Sequence, residues 1–106
     1  MITFENFKKL EIKIGTIVKA EPVENSEKLI KLQIDLGDEK RQILAGIAQF
    51  YKAEELVGKQ VPVLVNLEPK KMAAEVSNGM MLAVDVDGKP ILLSPSKKVP
   101  AGSAVR

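Results

Sequence analysis

The 106-residue sequence contains no cysteine and no histidine. Without cysteine it has no disulfide and no thiolate metal site. Without histidine it lacks the commonest general base and the commonest metal ligand. An enzyme built on this chain is left with lysine and carboxylate chemistry. Its acids lie scattered in turns or alternate with lysines, with no poised pair. Catalysis, a metal and a cofactor are therefore not expected. Aromatic residues make up only 4% of the chain, so the core must come from Ile, Leu and Val. Many of these are β-branched, which favours strands. Arginine is scarce too: Arg41 and Arg106 are the only two, and every other cation is lysine. Lysine serves phosphate as a point charge and is poor at forked recognition of a base. No apolar run approaches the ~20 residues of a membrane span. The N-terminal "MITFENF" has an acid and no long apolar segment, unlike a signal peptide. A soluble, cytoplasmic protein is the simplest expectation.

What is present suits one globular domain over residues 1–106. The hydrophobic fraction is 45%, with no internal repeat, low-complexity tract or linker. Sixteen basic against fourteen acidic residues leave a net charge of only +2. If the partner is a nucleic acid, the positive charge must be local.

Residues 3–9, "TFENFKK", read as a short helix with Thr3 as N-cap and Phe4 and Phe7 on one face. From Leu10 the apolar period becomes two, which predicts a long first strand to Lys19 with a bulge or bend at Gly15. Ile30 to Leu36 alternate as a second strand, "GDEK" (37–40) is a hairpin turn, and "RQILAGI" (41–47) is a third strand. Ala53 to Val57 suit one or two helical turns closed by Gly58. "QVPVLVNL" (60–67) is a fourth strand, where Pro62 suggests an edge position or a bulged start. A loop follows, then a fifth strand at 79–86, a turn at Asp87–Gly88, a short extra strand at 89–95 and an irregular tail.

Three meandering strands, a helix and two more strands is the order of the OB-fold, a partly open five-stranded barrel; a generic α+β sandwich fits the same order. The barrel reading predicts an all-β fold with a short N-terminal helix, a short helix between strands three and four, and a C-terminal extension. OB barrels bind ligands on strands two and three and in the loops after strands one and four. Here those loops are "VENSEKL" (23–29) and "NLEPKKMAAEVSNGM" (66–80). In a barrel they share one mouth, which brings Lys28, Lys70 and Lys71 to one surface. Each residue also has a plain alternative. A lysine pair solvates a loop, Met72 and Met80 fill core gaps, Gly79 permits a turn, Ser77 caps a backbone group, and Asn66 satisfies a strand end. Composition and spacing leave these alternatives open.

The pieces "EIKIGTIVKAE", "PVENSEKL", "AGI", "YKAEELVGKQV", "NLEPKKM" and "SNGMMLA" occur in an order that resembles one family, from about Phe4 to the end of the chain. It is the tRNA-binding domain found at the C-terminus of many methionyl-tRNA synthetases and in free-standing tRNA-binding proteins. "AEPVENSEKL" is nearer to the synthetase-attached versions. The resemblance implies an OB-fold that binds the outer corner of the tRNA L, reads shape more than sequence, and raises the tRNA affinity of a synthetase in cis or in trans. Carried over by position, the RNA-binding candidates are Lys28, Asn66, Lys70, Lys71, Met72, Ser77 and Met80. Lys13 and Lys31 are weaker candidates, as cations on the strand face. One departure stands out. The family often has a further basic residue and a Gly after the lysine pair, where this chain has Ala73, Ala74 and Glu75. The resemblance also implies a homodimer built from the N-terminal helix and the C-terminal segment, and Phe4, Phe7, Leu10, Ile91, Leu92 and Leu93 supply apolar surface for it. The competing expectation is an export-related, chaperone-like homodimer that binds polypeptide. Relatives of that kind typically lack the "SEKL" and Ser-x-Gly-Met pieces.

Overall fold

The computed structural model describes residues 1–106. Its elements run α1 (Phe4–Phe7), β1 (Ile12–Pro22), β2 (Ile30–Asp35), β3 (Lys40–Ala45), α2 (Ala53–Leu56), β4 (Gln60–Leu64), β5 (Lys70–Met72), β6 (Glu75–Ser77), β7 (Met80–Met81), β8 (Ala83–Val86), β9 (Lys89–Leu92) and β10 (Ala104–Val105). The main sheet has the order β3-β2-β1-β4-β7, with β10 added to β1. It is a nearly closed, five-stranded OB-type barrel.

β1 makes the barrel possible by changing partners. Residues 12–16 pair with β4 and residues 16–22 pair with β2, all antiparallel. The register with β2 shifts between Ile17 and Lys19, so the bulge falls at Val18 and not at Gly15. Gly15 has a different function. A Cβ there would collide with Ile34 Cγ2 and press on Leu36 Cδ2 at 3.1 Å, so the missing side chain lets β2 fold tightly over β1. Ile17 N–H donates to Lys59 O (2.9 Å) and Ile17 O accepts from Gly58 N–H (2.7 Å). The bulge thus ties β1 to the end of α2, where Gly58 takes the left-handed conformation expected of a helix cap (φ +93°). Leu56, the one buried residue of α2, joins the barrel core.

The core is aliphatic, as the composition requires. Ile30, Leu32 and Ile34 of β2 point inward to meet Ile17, Ile43, Val61 and Val63. Lys31, Gln33 and Asp35 alternate with them on the outer face.

Pro62 does not mark an edge, because β4 lies between β1 and β7. Its cross-strand neighbour Ile14 directs its own backbone groups to the C-terminal segment instead, with Ile14 N–H donating to Ser103 O (2.8 Å) and Ile14 O accepting from Gly102 N–H (2.7 Å). The Ile14–Pro62 pair therefore needs no donor from proline. On the other side, the β4–β7 ladder covers only Val63↔Met81 and Leu64↔Met80 and stops at Pro62. This divides the expected fifth strand into β7 and β8 at Leu82, whose N–H donates to Pro62 O (3.0 Å). The tail is not irregular throughout: β10 pairs with the stretch of β1 that β2 leaves free, Ile12↔Val105 and Lys13↔Ala104. β8 and β9 form a separate hairpin about the expected Asp87–Gly88 turn. Tyr51 Oη holds it by donating to Pro90 O (3.1 Å).

Neither helix exceeds four residues, and no helix is long and apolar enough to cross a membrane.

Candidate nucleic-acid interface

The stretch after β4 is more ordered than a loop. Lys70↔Ser77, Lys71↔Val76 and Met72↔Glu75 pair as a hairpin with a two-residue turn, Ala73 (φ 49°) and Ala74 (φ 66°). Such turns require positive φ at both central positions and so favour Asn-Gly. L-residues there cost about 1–2 kcal/mol each, so this hairpin tip is strained.

The hairpin lies against the outer face of β2 and β3. Gln42 Nε2 donates to Val76 O (3.0 Å), Lys31 Nζ reaches Glu75 Oε2 (2.9 Å), and Leu44 N–H donates to Ser77 Oγ (3.0 Å). Because hairpin side chains alternate, Ser77 and Glu75 turn towards the barrel together with Lys70 and Met72, while Lys71 and Val76 face solvent. Lys70 sits at the rim and stays exposed, whereas Met72 is half-buried.

At its tip the hairpin meets the loop after β1. Val23, Glu24 and Asn25 line one depression of ≈ 180 Å³ with Ala73, Ala74 and Glu75. In the same loop Ser26 Oγ accepts from Lys28 N–H (3.3 Å) and Leu29 N–H (3.1 Å), and Lys28 O accepts from Ala48 N–H (2.9 Å). This fixes the Lys28 backbone and leaves its side chain exposed. The two loops therefore share one mouth, as a barrel requires. Lys28, Lys70 and Lys71 are exposed on these two loops without an ion-pair partner, though none of them lines that depression and Lys70 lies at the hairpin base opposite Ser77.

Two further candidates have internal partners. Ser77 is 3% exposed, and its hydroxyl both accepts from Leu44 N–H and donates to Gly79 O (2.9 Å). With Asn78 N–H donating to Gln42 O (2.9 Å), it joins β3 to the β6–β7 segment where the barrel closes. Gly79 (φ +138°) is needed at this point, since a Cβ would approach Leu64 O to 2.9 Å. Asn66 ties the segment after β4 to the α1–β1 connection: its Nδ2 donates to Lys9 O (2.7 Å) and its Oδ1 accepts from Glu11 N–H (2.9 Å).

Met80 is exposed, but its register places it elsewhere. It lies opposite Leu64, which lies opposite Ile12, which lies opposite Val105, so the four form an apolar row on the outer β1–β4 wall. Lys13 is at the start of β1, near Glu39 of the β2–β3 turn, which its charge reaches. That is the end of β1 remote from the 23–29 loop, up to roughly 30 Å along the strand.

Lys31 is at the interface but is not free. Glu75 (2.9 Å) and Glu21 (3.3 Å) both pair with it, and hydrogen bonding to Glu75 and then to Glu21 raises its pKa above the ordinary lysine value. Glu75 is held below the usual carboxylate range, chiefly by the hydrogen bond from Lys31. The acid that departs from the family pattern is thus ion-paired within the protein, sharing Lys31 with Glu21.

Sequence reasoning gave no place to Arg41 and Gln42. The Arg41 guanidinium faces the seam between β3 and β4, where it donates to Val65 O and to Asn78 O (3.4 Å). Glu39 holds it in turn through Oε1 (2.8 Å) and Oε2 (3.3 Å). Its hydrogen bond to Glu39 raises the Arg41 pKa and lowers that of Glu39. Arg41 so fixes both ends of the segment that carries the lysine hairpin. The signal was one arginine, at the start of a strand, in a chain whose other interior cations are all lysine.

A second surface is apolar. Phe4 (70% exposed), Phe7 and Leu10 line a depression of ≈ 550 Å³ with Ile12 and Val105. On the β8–β9 hairpin Ile91 and Leu93 are exposed, whereas Leu92 turns in against the core.

The loops after the first and fourth strands, where OB-type barrels take their ligands, here carry the exposed Lys28, Lys70 and Lys71 alongside four glutamates. Comparison with known proteins gives the family. The model of the family described as "Putative tRNA binding domain" matches residues 12–104, and the chain belongs to that family. It is 52% identical over 106 residues to a methionine–tRNA ligase of Methanothrix thermoacetophila, covering 100% of this chain and 16% of the ligase. The chain therefore spans about a sixth of the length of such relatives. Among solved structures, a protein related to methionyl-tRNA synthetase from Pyrococcus horikoshii superposes with a TM-score of 0.95 at 38% identity, covering 100% of this chain and 98% of that one. The chaperone CsaA of Bacillus anthracis superposes with a TM-score of 0.91 at 35% identity, covering 100% and 99%.

Proposed function

We propose that the domain is a noncatalytic tRNA-binding module that recognises the outer corner of the tRNA L by its shape and raises the tRNA affinity of a methionyl-tRNA synthetase, in cis or in trans. The observation that supports this is that Lys28, Lys70 and Lys71 are exposed and unpaired on the two loops that meet at the hairpin tip. Three lysines on a rigid barrel suit phosphates held in a fixed arrangement, as a folded RNA presents them. They are poorly suited to reading base edges. Met72, half-buried on the hairpin, offers a polarizable apolar surface to an unpaired base, whereas Met80 stands apart from it in the apolar row on the outer β1–β4 wall. Asn66 and Ser77 serve the site by positioning the segment that carries the lysines. Joined to a catalytic body, such a module raises the effective concentration of tRNA without new chemistry.

The domain works as a homodimer in this reading, through the apolar depression around Phe4, Phe7 and Leu10 and the exposed Ile91 and Leu93. A dimer doubles the basic surface. The likeness to the chaperone CsaA supports a second reading, an export-related, chaperone-like homodimer that binds polypeptide. Competition separates the two. Labelled tRNA bound to the domain is challenged with unlabelled tRNA, with single-stranded DNA of equal length and with an unfolded polypeptide. Displacement by tRNA alone is expected. Equal displacement by the DNA refutes shape recognition, and binding of polypeptide with none of tRNA favours the second reading.

A further inference from the structure

The Glu75 carboxylate occupies a set of donors that suits a phosphate. Its Oε2 takes Lys31 Nζ at 2.9 Å, and its Oε1 takes, at 3.4 Å, the Gln42 side-chain amide, which also donates to Val76 O at 3.0 Å. The two donors come from adjacent strands, β2 and β3, and face outward. Each is held from behind. Glu21 of β1 pairs with the Lys31 ammonium at 3.3 Å, and Gln33 Nε2 donates to Gln42 Oε1 at 3.2 Å. An ammonium and an amide converging on one anionic group is equally a donor set for the oxygens of a backbone phosphate. The anion now in place is mounted beside the strained turn, Ala73 and Ala74, both at positive φ. Glu75, Lys31 and Glu21 all keep partly exposed side chains, so an incoming anion has access.

We infer that Lys31 and Gln42 form a phosphate subsite on the β2–β3 face, that Glu75 occupies it in the free protein, and that a tRNA backbone phosphate displaces the Glu75 carboxylate on docking. The inference rests on the tRNA-binding reading and deepens it. Lys28, Lys70 and Lys71 are open cations, whereas Lys31 is a masked one. The exchange trades one anion for another, so the Lys31 ammonium stays paired throughout. It also explains how a loop can carry an acid where phosphate must approach: the acid closes the subsite until an anion of the right reach arrives.

Two measurements on Glu75→Gln, Lys31→Ala and the double variant test this. In the first, tripolyphosphate is titrated and the Gln42 side-chain amide resonance is followed by NMR. A saturating shift is expected in Glu75→Gln, a weaker one in the wild type, and none in the double variant. In the second, tRNA affinity is measured against salt. A salt slope of about 0.7–0.9 per phosphate makes one unmasked contact worth roughly five- to eightfold at 0.1 M relative to 1 M salt. Glu75→Gln should tighten binding by up to that factor, and Lys31→Ala should cost more in the Glu75→Gln background than in the wild type. Independent, additive effects of the two substitutions, or no tripolyphosphate shift in Glu75→Gln, overturn the inference even if tRNA binds. A wild type that gives the phosphate pattern but binds no tRNA upholds the subsite and refutes the proposed function instead.

Discussion

Replacing Ser77 by Ala separates a structural role from direct RNA contact. The hydroxyl is buried, accepts from Leu44 N–H at 3.0 Å and donates to Gly79 O at 2.9 Å. Leu44 N–H has no other partner, because it lies on the edge of β3 away from β2. Alanine leaves that buried donor unsatisfied and also removes the bond to Gly79 O, for a combined loss of about 2–3 kcal/mol. For a domain near 100 residues, 1 kcal/mol moves Tm by about 4–8 °C, so a drop of roughly 8–24 °C follows. The assay is thermal melting together with urea unfolding, where the midpoint should fall and the m-value stay fixed. tRNA affinity, measured well below the new Tm, should change less than stability does. An unchanged Tm with a large loss of RNA binding would refute the reasoning and return Ser77 to the RNA surface.

Other outcomes follow from the same geometry. Gly15→Ala forces a Cβ into Ile34 and against Leu36, and should destabilise by about 1–3 kcal/mol in denaturant unfolding. Ala74→Gly relieves a left-handed alanine at the hairpin tip. Relief of strain outweighs the added chain entropy, so about 0.5–1 kcal/mol of stabilisation is expected, with slower amide exchange along β5 and β6. Glu39 and Glu75 have folded pKa values below the ordinary 4.5. Their contribution is therefore present above about that pH and is lost as pH falls through the lowered folded values. Melts from pH 7 down to 3 should show a falling Tm, and the Glu39→Gln/Glu75→Gln variant should show a shallower fall. Lys31, raised above 10.5, contributes on the opposite limb and loses its share only as pH rises past that value.

Much of the barrel was legible because local signals agreed with the fold. The alternation of Ile30, Leu32 and Ile34 with Lys31, Gln33 and Asp35 gave β2 almost to the residue. Gly58 and Asp87–Gly88 marked their turns. What stayed hidden depended on distant partners. In the sequence the hairpin at 70–77 looks like a loop, because Ala73–Ala74 carries none of the Asn-Gly chemistry that announces such a turn. The break at Leu82 follows from a proline twenty residues earlier. β10 exists because β1 has an unpaired stretch to offer, which nothing in "SAVR" reveals. The two lysine loops could be placed at one mouth from strand order alone. That Lys31 is masked, and that Asn66 and Ser77 bond inward, could be seen only once residues 44 and 77, or 11 and 66, lay side by side.

The central claim is that the hairpin lysines meet RNA phosphates. A titration of labelled tRNA with the wild type and with Lys70→Ala/Lys71→Ala, at several salt concentrations, tests it most directly. Loss of two phosphate contacts should weaken binding and flatten the log–log salt slope by roughly 1.4–1.8 units. Unchanged affinity and slope in the double variant would contradict the account and move the interface away from this hairpin.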